Sequence, residues 1–217
     1  MSRGRVLRDM HDFGGFIVKE RNGSKKKEEI LTWKQNMVLY LHDLVIYVSV
    51  ILLVFLLLFR IIVVTGDSMY STLWDGDYLL LMSNLLYPDP EAGDIVVVSK
   101  QSYDDGAPIV KRVIATEGQI VDIDFENGIV YVDGLPIEEE YINTPTNRQE
   151  GMSFPLIVEK GCYFVMGDNR NNSRDSRSPD IGQIDKREIL GKAILLMLPG
   201  TDGGLRQRDF SRIGAIG

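Results

Sequence analysis

Histidine and cysteine are scarce in this chain of 217 residues, and their positions exclude several kinds of active site. His11 and His42 are the only histidines, so the whole chain beyond residue 42 lacks an imidazole. Ser-His-Asp hydrolases, Cys-His transpeptidases and histidine-ligated zinc peptidases all need one. Cys162 is the single cysteine, which excludes an internal disulfide, and its apolar neighbours predict a buried, inert thiol.

Only one long apolar run is present, Leu44 to Val64, and it has the length of a membrane span. At about 1.5 Å per helical residue it would measure roughly 31 Å, against a hydrocarbon core of about 30 Å. Its one charge, Arg60, lies close enough to the outer end to reach the headgroups. A secretory signal has a shorter apolar core nearer the amino terminus. We therefore expect an uncleaved anchor within a juxtamembrane and transmembrane segment, residues 37–65.

Charge is distributed unequally around this run. Residues 1–43 contain nine Lys or Arg and six Asp or Glu, whereas residues 61–217 contain fourteen and twenty-five. The positive-inside tendency predicts a single-pass protein with its amino terminus in the cytosol. The acidic external portion argues against nucleic acid as a partner. Residues 1–36 are predicted to be a flexible cytosolic tail, and the glycine-rich residues 200–217 a flexible carboxyl-terminal tail.

Short runs rich in Val, Ile and Tyr predict β-strands in the remaining part, residues 66–199. These runs are Tyr78–Met82, Ile95–Ser99, Ile109–Ile114, Ile120–Phe125, Ile129–Val132, Tyr163–Met166 and Ala193–Leu198. The pairs Asn127-Gly128 and Asp133-Gly134 suit tight hairpin turns. Only residues 185–190 suggest a short helical turn. We therefore expect a mainly β domain with an antiparallel sheet or a barrel-like fold. This domain should be extracytoplasmic and should follow one amino-terminal transmembrane helix.

Three segments of this domain carry candidate chemistry. The first, Gly66 to Leu73, follows the apolar run and contains Ser68; the second, Ile109 to Ile114, places Lys111 inside an apolar strand. The third, Met166 to Arg177, is dense with Asp, Asn, Ser and Arg. Taken singly, they read as a loop serine, an outward-facing lysine and a solvated loop.

In residue type, order and spacing, the three segments together resemble the boxes of the bacterial type I signal peptidase family. Those boxes are Ser-Met-x-Pro-Thr-Leu, Lys-Arg-Val and Gly-Asp-Asn-Arg, and the resemblance covers about residues 66–199. It implies a membrane-bound serine endopeptidase that removes signal peptides from secretory preproteins, with Ser68 as nucleophile and Lys111 as general base. No cofactor or metal is implied.

The resemblance also implies supporting roles around this pair. Ser173 matches a hydroxyl that positions the lysine, and Asp175 and Arg177 match a structural ion pair that braces the site. Gly66 lies where family members contribute a second oxyanion donor beside the backbone N–H of the serine. The sequence departs from the family at two positions: Ser71 stands where proline is usual and residue 171 is asparagine where aspartate is common.

A lysine base sets a physical requirement. An ammonium with an unperturbed pKa near ~10.4 must be shifted to about 7 or 8, at a cost of about 4 kcal/mol. The flanking Val110, Val113 and Ile114 would provide the apolar surroundings. Because Ser68 follows Val64 by four residues, it should lie within roughly 15 Å of the end of the span, close to the lipid bilayer. A substrate there would be an extended signal peptide with small residues, Ala-x-Ala, near its cleavage site.

Three other interpretations fit parts of the sequence. A non-catalytic, membrane-anchored β-module that binds an extracellular partner would need none of the three segments. A related Ser-Lys peptidase with another substrate, such as a self-cleaving repressor, does not explain the anchor or the acidic external domain. A eukaryotic-type signal peptidase subunit uses histidine as its base, and the domain beyond residue 42 has none.

Overall fold

The structure is a computed structural model that describes residues 33–201 and 208–216, so nearly all of the expected cytosolic tail lies outside the described residues. Its first element is helix α1 (Trp33–Leu58). By length and composition, the part Asn36–Leu58 is apolar enough to cross a membrane, and its 23 residues would measure about 34 Å.

The helix begins and ends earlier than the apolar run predicts. The expected span continued to Val64, whereas α1 stops at Leu58 and strand β1 (Phe59–Val63) follows without a linker. Ile61 to Val63 are β-branched and suit a strand, and pairing with the next strand satisfies their backbone groups. Arg60 therefore belongs to the sheet, opposite Leu81, and not to the helix.

Twelve strands are found among the described residues, and all of their pairings are antiparallel. After β1 they are β2 (Tyr78–Ser83), β3 (Ile95–Val98), β4 (Ile109–Ala115), β5 (Ile120–Asp124), β6 (Ile129–Val132), β7 (Leu135–Pro136), β8 (Leu156–Ile157), β9 (Cys162–Met166), β10 (Ile184–Asp185), β11 (Ile189–Leu198) and β12 (Gly214–Ala215). The mainly β prediction is confirmed, and each of the seven predicted strands is present. Short 3₁₀ turns occupy Asp104–Gly106, Arg170–Asn172, Lys186–Glu188 and Phe210–Arg212.

The strands form two sheets. The large sheet has the order β1-β2-β11-β3-β4-β9-β10 and is open, with β12 added beside the second half of β11. The small sheet has the order β7-β6-β5-β8. Its hairpins turn at Gly128 and at Asp133-Gly134, all with positive φ, as the sequence predicted.

Strand β3 lies in the middle of the core, because apolar residues cover both of its faces. All four of its residues are fully buried. Ile95 and Val97 pack in one apolar cluster, and Val96 and Val98 pack in another. A third cluster, which includes Phe164, joins the small sheet to β4 and β9. Strand β4, the neighbour of β3, is thus held in the most completely buried part of the fold.

The last described residues differ from the expected loose tail. Residues 208–216 return to the large sheet, where β12 pairs with β11. Arg212 forms an ion pair with the fully buried carboxylate of Asp77. Glycine content alone predicted flexibility here, whereas the strand pairing and the buried charge partner fix this part of the segment.

Cys162 is half-buried at the start of β9, so the thiol is less buried than the sequence predicted. Burial and the nearby charge of Asp185 raise the pKa of the thiol. A raised pKa keeps the thiol protonated at neutral pH, and a protonated thiol is a poor nucleophile.

Gly191 on β11 is expected to be required by the close approach of β2. A Cβ atom at this position would overlap the carbonyl of Met82, so Gly191→Ala should lower the free energy of unfolding by about 1–3 kcal/mol. Gly214→Ala on β12 is the matched control, because a Cβ there meets open space. Thermal unfolding of both variants tests this; equal melting temperatures would contradict it.

Candidate active site

Ser68 is held in a tight turn, residues 67–74, which we call the serine turn. Both of its ends are tied: the Val64 N–H donates to Asp77 O (2.8 Å), and the Gly76 N–H donates to Val64 O (2.9 Å). Met69 and Leu73 anchor the turn in the core and are almost completely buried. Ser68, directly before the first of these anchors, stays half-exposed and faces a cleft.

Lys111 lies in the middle of β4, opposite Val96 of β3, and its exposed fraction is 2%. Its Nζ is 2.7 Å from Ser68 Oγ and donates a second hydrogen bond to Val110 O at 2.9 Å. Burial lowers the pKa of Lys111 from 10.5 to about 8. The nearby carboxylates of Asp175 and Asp168 oppose this shift, so desolvation is the stronger effect. About one tenth of the amine is then neutral at pH 7.

The third segment holds the serine turn from the other side. Asn169 donates its backbone N–H to Ser68 O (3.0 Å) and its side-chain amide to Asp67 O (2.9 Å). Gly167 makes this approach possible, because a Cβ there would overlap Ser68 O and Ser173 Oγ. The three segments that stand apart in the sequence therefore meet around Ser68 Oγ.

Asp175 and Arg177 form an ion pair behind the site, with both side chains fully buried. Arg177 also donates to Arg170 O (2.7 Å) and Arg148 O (3.1 Å), and Gly167 N–H donates to Asp175 Oδ2 (3.0 Å). Burial raises the pKa of Asp175, but the hydrogen bonds and charge of Arg177 lower it further than burial raises it. The carboxylate is therefore ionised, and losing either partner would leave an uncompensated buried charge.

Ser173 does not make the expected contact with the lysine. Its hydroxyl donates to Asp175 Oδ2 at 2.8 Å, and the hydrogen bonds of Lys111 Nζ go to Ser68 and Val110. A carboxylate is a stronger acceptor than a neutral amine, which accounts for the direction of the hydroxyl. Ser173 and Lys111 do line the same cleft.

Gly66 also differs from expectation. Its N–H donates to Asp75 Oδ1 at 2.8 Å, so it is already engaged and does not serve as a free oxyanion donor. Its positive φ of 81° sets the turn that leads to Ser68. The Ser68 N–H, by contrast, makes no hydrogen bond to any residue that the structure describes.

Arg112 and Asp168 are two site residues to which the sequence reasoning gave no role. The guanidinium of Arg112 pairs with the Asp168 carboxylate through Nε (2.9 Å) and Nη2 (2.7 Å), and both side chains are almost completely buried. Thr72 Oγ1 donates to the same carboxylate at 2.6 Å. This contact links all three segments. A charged Arg112 inside an apolar strand, beside Lys111, was the signal in the sequence.

The two departures from the family pattern differ in their local effect. Asn171 accepts from the Arg148 N–H (3.0 Å) and donates from its amide to Pro145 O (3.0 Å). A carboxylate in its place could accept the first hydrogen bond but could not donate the second. Ser71 accepts through its backbone carbonyl from Trp74 Nε1 at 3.2 Å, a hydrogen bond that does not depend on its side chain. Neither residue touches Lys111 Nζ or Ser68 Oγ.

The cleft in front of Ser68 has a volume of about 870 Å³. The end of β1, the start of β4, residues 148–150 and residues 172–174 line it. Glu150 is part of this lining although its side chain is only 6% exposed. Its Oε2 has no hydrogen-bond partner within the described part of the chain. Burial and the charge of Asp175 raise the pKa of Glu150.

A serine hydroxyl beside a buried amine, in an antiparallel β domain behind an apolar helix, is an arrangement that serves a serine peptidase. Comparison with known proteins agrees. The family described as "Signal peptidase, peptidase S26" matches residues 37–198. The chain belongs to this family of signal peptidases, which are serine endopeptidases.

Individual relatives carry the same name. The protein named "Probable signal peptidase I-1" of Synechocystis sp. is 41% identical over 150 residues, which is 65% of this chain and 72% of the relative. Signal peptidase I S of Bacillus subtilis strain 168 is 34% identical over 191 residues, 84% of this chain and 96% of the relative. A crystal structure of a signal peptidase I from Enterococcus faecalis V583 is 28% identical and covers 48% of this chain and 96% of its own, with a TM-score of 0.39.

Replacing Lys111 by methionine is expected to stabilise the fold below pH 10. Between pH 10.5 and about 8 the unfolded chain takes up a proton that the folded protein does not, so stability is lost as pH falls. The pKa shift corresponds to about 3 kcal/mol of unfolding free energy, and all of it is lost below pH 8. The Lys111→Met variant has no amine to protonate, so its stability does not fall in this way. Unfolding free energies of both proteins in detergent between pH 7.5 and 10.5 should therefore diverge as pH falls.

Lys192→Met is the matched control for this measurement. Burial opposes its charge, but the hydrogen bond with Asp94 and the charge of Asp94 raise the pKa of Lys192. Its protonated form therefore stabilises the fold, and its loss should lower the stability near pH 8. If both lysine variants changed stability in the same direction, the assignment of a buried, disfavoured charge to Lys111 would be wrong.

Proposed function

We propose that this protein cleaves signal peptides from exported preproteins, with Ser68 as nucleophile and Lys111 as general base. The observation that carries the proposal is the 2.7 Å separation of Lys111 Nζ and Ser68 Oγ, with the amine almost completely buried. Burial is what makes an amine a base near neutral pH, because it disfavours the ammonium.

In the proposed reaction, neutral Lys111 takes the proton of Ser68 Oγ as the oxygen attacks the scissile carbonyl. One N–H of the neutral amine donates to Val110 O, and its lone pair can accept the proton of the Ser68 hydroxyl 2.7 Å away. The lysine then protonates the leaving amine, and an acyl-enzyme on Ser68 remains. Water, deprotonated by the same amine, hydrolyses this ester and restores both groups.

The Ser68 backbone N–H is the proposed oxyanion donor. This N–H belongs to the same residue that attacks the carbonyl, and it donates to no residue that the structure describes. Backbone donors aimed at developing charge give a large part of the rate in acyl transfer. A second donor from Gly66 would require its N–H to leave Asp75, so this role of Gly66 is not proposed for the present conformation.

The substrate is proposed to bind as an extended strand. β1 is at the edge of the large sheet, and residues 62–66 and residues 107–111 both line the cleft. A peptide placed between them would pair with exposed backbone groups of these segments. The cleft near Ser68 is bounded by apolar Ile62 and Val110, which suits small residues of the Ala-x-Ala type.

The membrane is the proposed source of this substrate. Helix α1 would span the bilayer with residues 1–36 in the cytosol and the catalytic domain, residues 66–199, outside, as the charge asymmetry predicts. Ser68 is ten residues beyond Leu58, so it lies at most about 35 Å from the end of the helix. Asp175 and Arg177 are proposed to brace the site, and Ser173 to connect that ion pair to the cleft.

Loss of either member of the pair should abolish cleavage. Ser68→Ala removes the nucleophile and Lys111→Met removes the base, and each should reduce kcat by at least about a thousand-fold. The assay is cleavage of a preprotein at a defined site by the full chain in detergent micelles. Ser153→Ala, at an exposed serine, and Lys192→Met are the controls and should retain wild-type rates. Wild-type activity of Ser68→Ala or Lys111→Met would overturn the proposal.

Glu150→Gln is expected to shift the pH dependence of cleavage. The carboxylate of Glu150 is one of the charges that raise the pKa of Lys111, so the amide should let that pKa fall. Cleavage rates, which decline as Lys111 takes up a proton, should then persist to lower pH than in the wild type. Glu91→Gln, at an exposed carboxylate away from the cleft, is the control. A shift toward higher pH for Glu150→Gln would contradict this coupling.

A further inference from the structure

The carboxyl-terminal residues 208–216 reach back to the serine turn, and we call them the terminal strap. Residues 214–215 of the strap add strand β12 to β11. Just before this strand, Phe210–Arg212 forms a single 3₁₀ turn, which Asp209 caps by accepting from the Ser211 N–H. The cap and the strand together fix the position of Arg212 between them.

Among the described residues, the guanidinium of Arg212 makes four contacts, and all of them lie at the end of the serine turn. Its guanidinium forms a two-point ion pair with Asp77, with Nη1–Oδ1 at 3.0 Å and Nη2–Oδ2 at 2.7 Å. The same Nη2 donates to Thr72 O at 3.2 Å. The guanidinium also lies 4.0 Å from the ring centre of Trp74. Only 15% of the side chain of Arg212 is exposed, so solvent screens these contacts weakly.

The partner of Arg212, Asp77, is a buried residue that itself binds the serine turn. The carboxylate is fully buried and also accepts from the Trp74 N–H (2.8 Å) and the Gly200 N–H (2.6 Å). It therefore closes the serine turn from its far end, while Arg212 supplies the cation that balances it. Without that cation, a buried negative charge would lie beneath the turn, and the turn would rearrange to reach water.

Thr72 connects this end of the turn to the catalytic pair. Its carbonyl accepts from Arg212, and its hydroxyl donates to Asp168, which pairs with Arg112 next to Lys111. The residue after Asp168, Asn169, holds the carbonyl of Ser68. Thr72 is thus hydrogen-bonded through its backbone to the strap and through its side chain to the third segment. Displacing it would move Ser68, four residues earlier in the same turn.

We propose that Arg212 is a positioning residue, through which the terminal strap holds the serine turn so that Ser68 Oγ stays within reach of Lys111 Nζ. The inference rests on the proposed roles of Ser68 and Lys111. It adds a requirement that those roles do not contain: the carboxyl-terminal segment is needed for the rate of the reaction, although no atom of it reaches Ser68 or Lys111.

Cleavage by the full chain in detergent micelles tests this with Arg212→Ala, Arg212→Lys and, as matched control, Arg208→Ala. Arg208 is in the same strap and is exposed, and it donates to Pro199 O and not to a residue of the serine turn. Arg212→Ala should lower kcat by about ten- to a hundred-fold with KM changed less than about three-fold, because a misplaced nucleophile slows chemistry more than binding. Arg208→Ala should keep the wild-type kcat.

Arg212→Lys separates positioning from folding. Lysine keeps the charge beside Asp77 and should restore the melting temperature, but it lacks the rigid fork that reaches Asp77 and Thr72 O together. Its kcat should therefore stay below that of the wild type at temperatures well below unfolding. If Arg212→Ala does not fold, Arg212→Lys decides the question alone.

Ser68→Ala in the same assay distinguishes the two levels of failure. Cleavage by Ser68→Ala would overturn the proposed function, and the role of Arg212 with it. An inactive Ser68→Ala together with a wild-type kcat for folded Arg212→Ala, or for Arg212→Lys where the alanine variant is unfolded, would overturn the positioning role alone. A low kcat that Arg208→Ala shares would also overturn it, since the loss would then belong to the strap in general.

Discussion

The whole site depends on one amine that is kept out of water. Lys111 carries its Nζ into a position where almost none of the side chain is exposed, and the burial of the neighbouring strand β3 on both faces makes this possible. The folded protein gives up about 3 kcal/mol of stability near neutral pH to hold the charged form there. The same burial that lowers the pKa of Lys111 and makes it a base also makes its charged form unfavourable in the folded protein.

Two aspartate–arginine pairs protect this arrangement. Asp168 and Asp175 both favour the ammonium form of Lys111, and without their arginine partners they would oppose the effect of burial more strongly. Arg112 and Arg177 pair with them, and the charge of Arg177 itself lowers the pKa of Lys111. The same pairs hold the third segment in place beside the serine turn. They therefore determine both the electrostatic environment of Lys111 and the geometry of the site.

The sequence predicted the strands, the hairpin turns and the pairing of Ser68 with Lys111, because these depend on local patterns and on three short motifs. It did not predict that Phe59 to Val63 leave the helix, since an apolar β-branched run suits lipid and sheet equally well. It also missed the direction of the Ser173 hydroxyl and the engagement of the Gly66 N–H. Those depend on carboxylates brought close by the fold, and motif matching carries no information about such partners. Arg212 was missed for the same reason, because its partner Asp77 is distant in sequence.

The protonation of Lys111 can be measured without any substrate. The protein is prepared in micelles with lysine labelled by ¹⁵N at Nζ and ¹³C at Cε, the Lys111 signal is assigned by its absence in Lys111→Met, and its shift is followed with pH. A titration midpoint near pH 8 is the result that this account predicts. A midpoint at or above pH 10, the range of an exposed lysine, would contradict it, because the amine would then be charged at every pH at which the enzyme works.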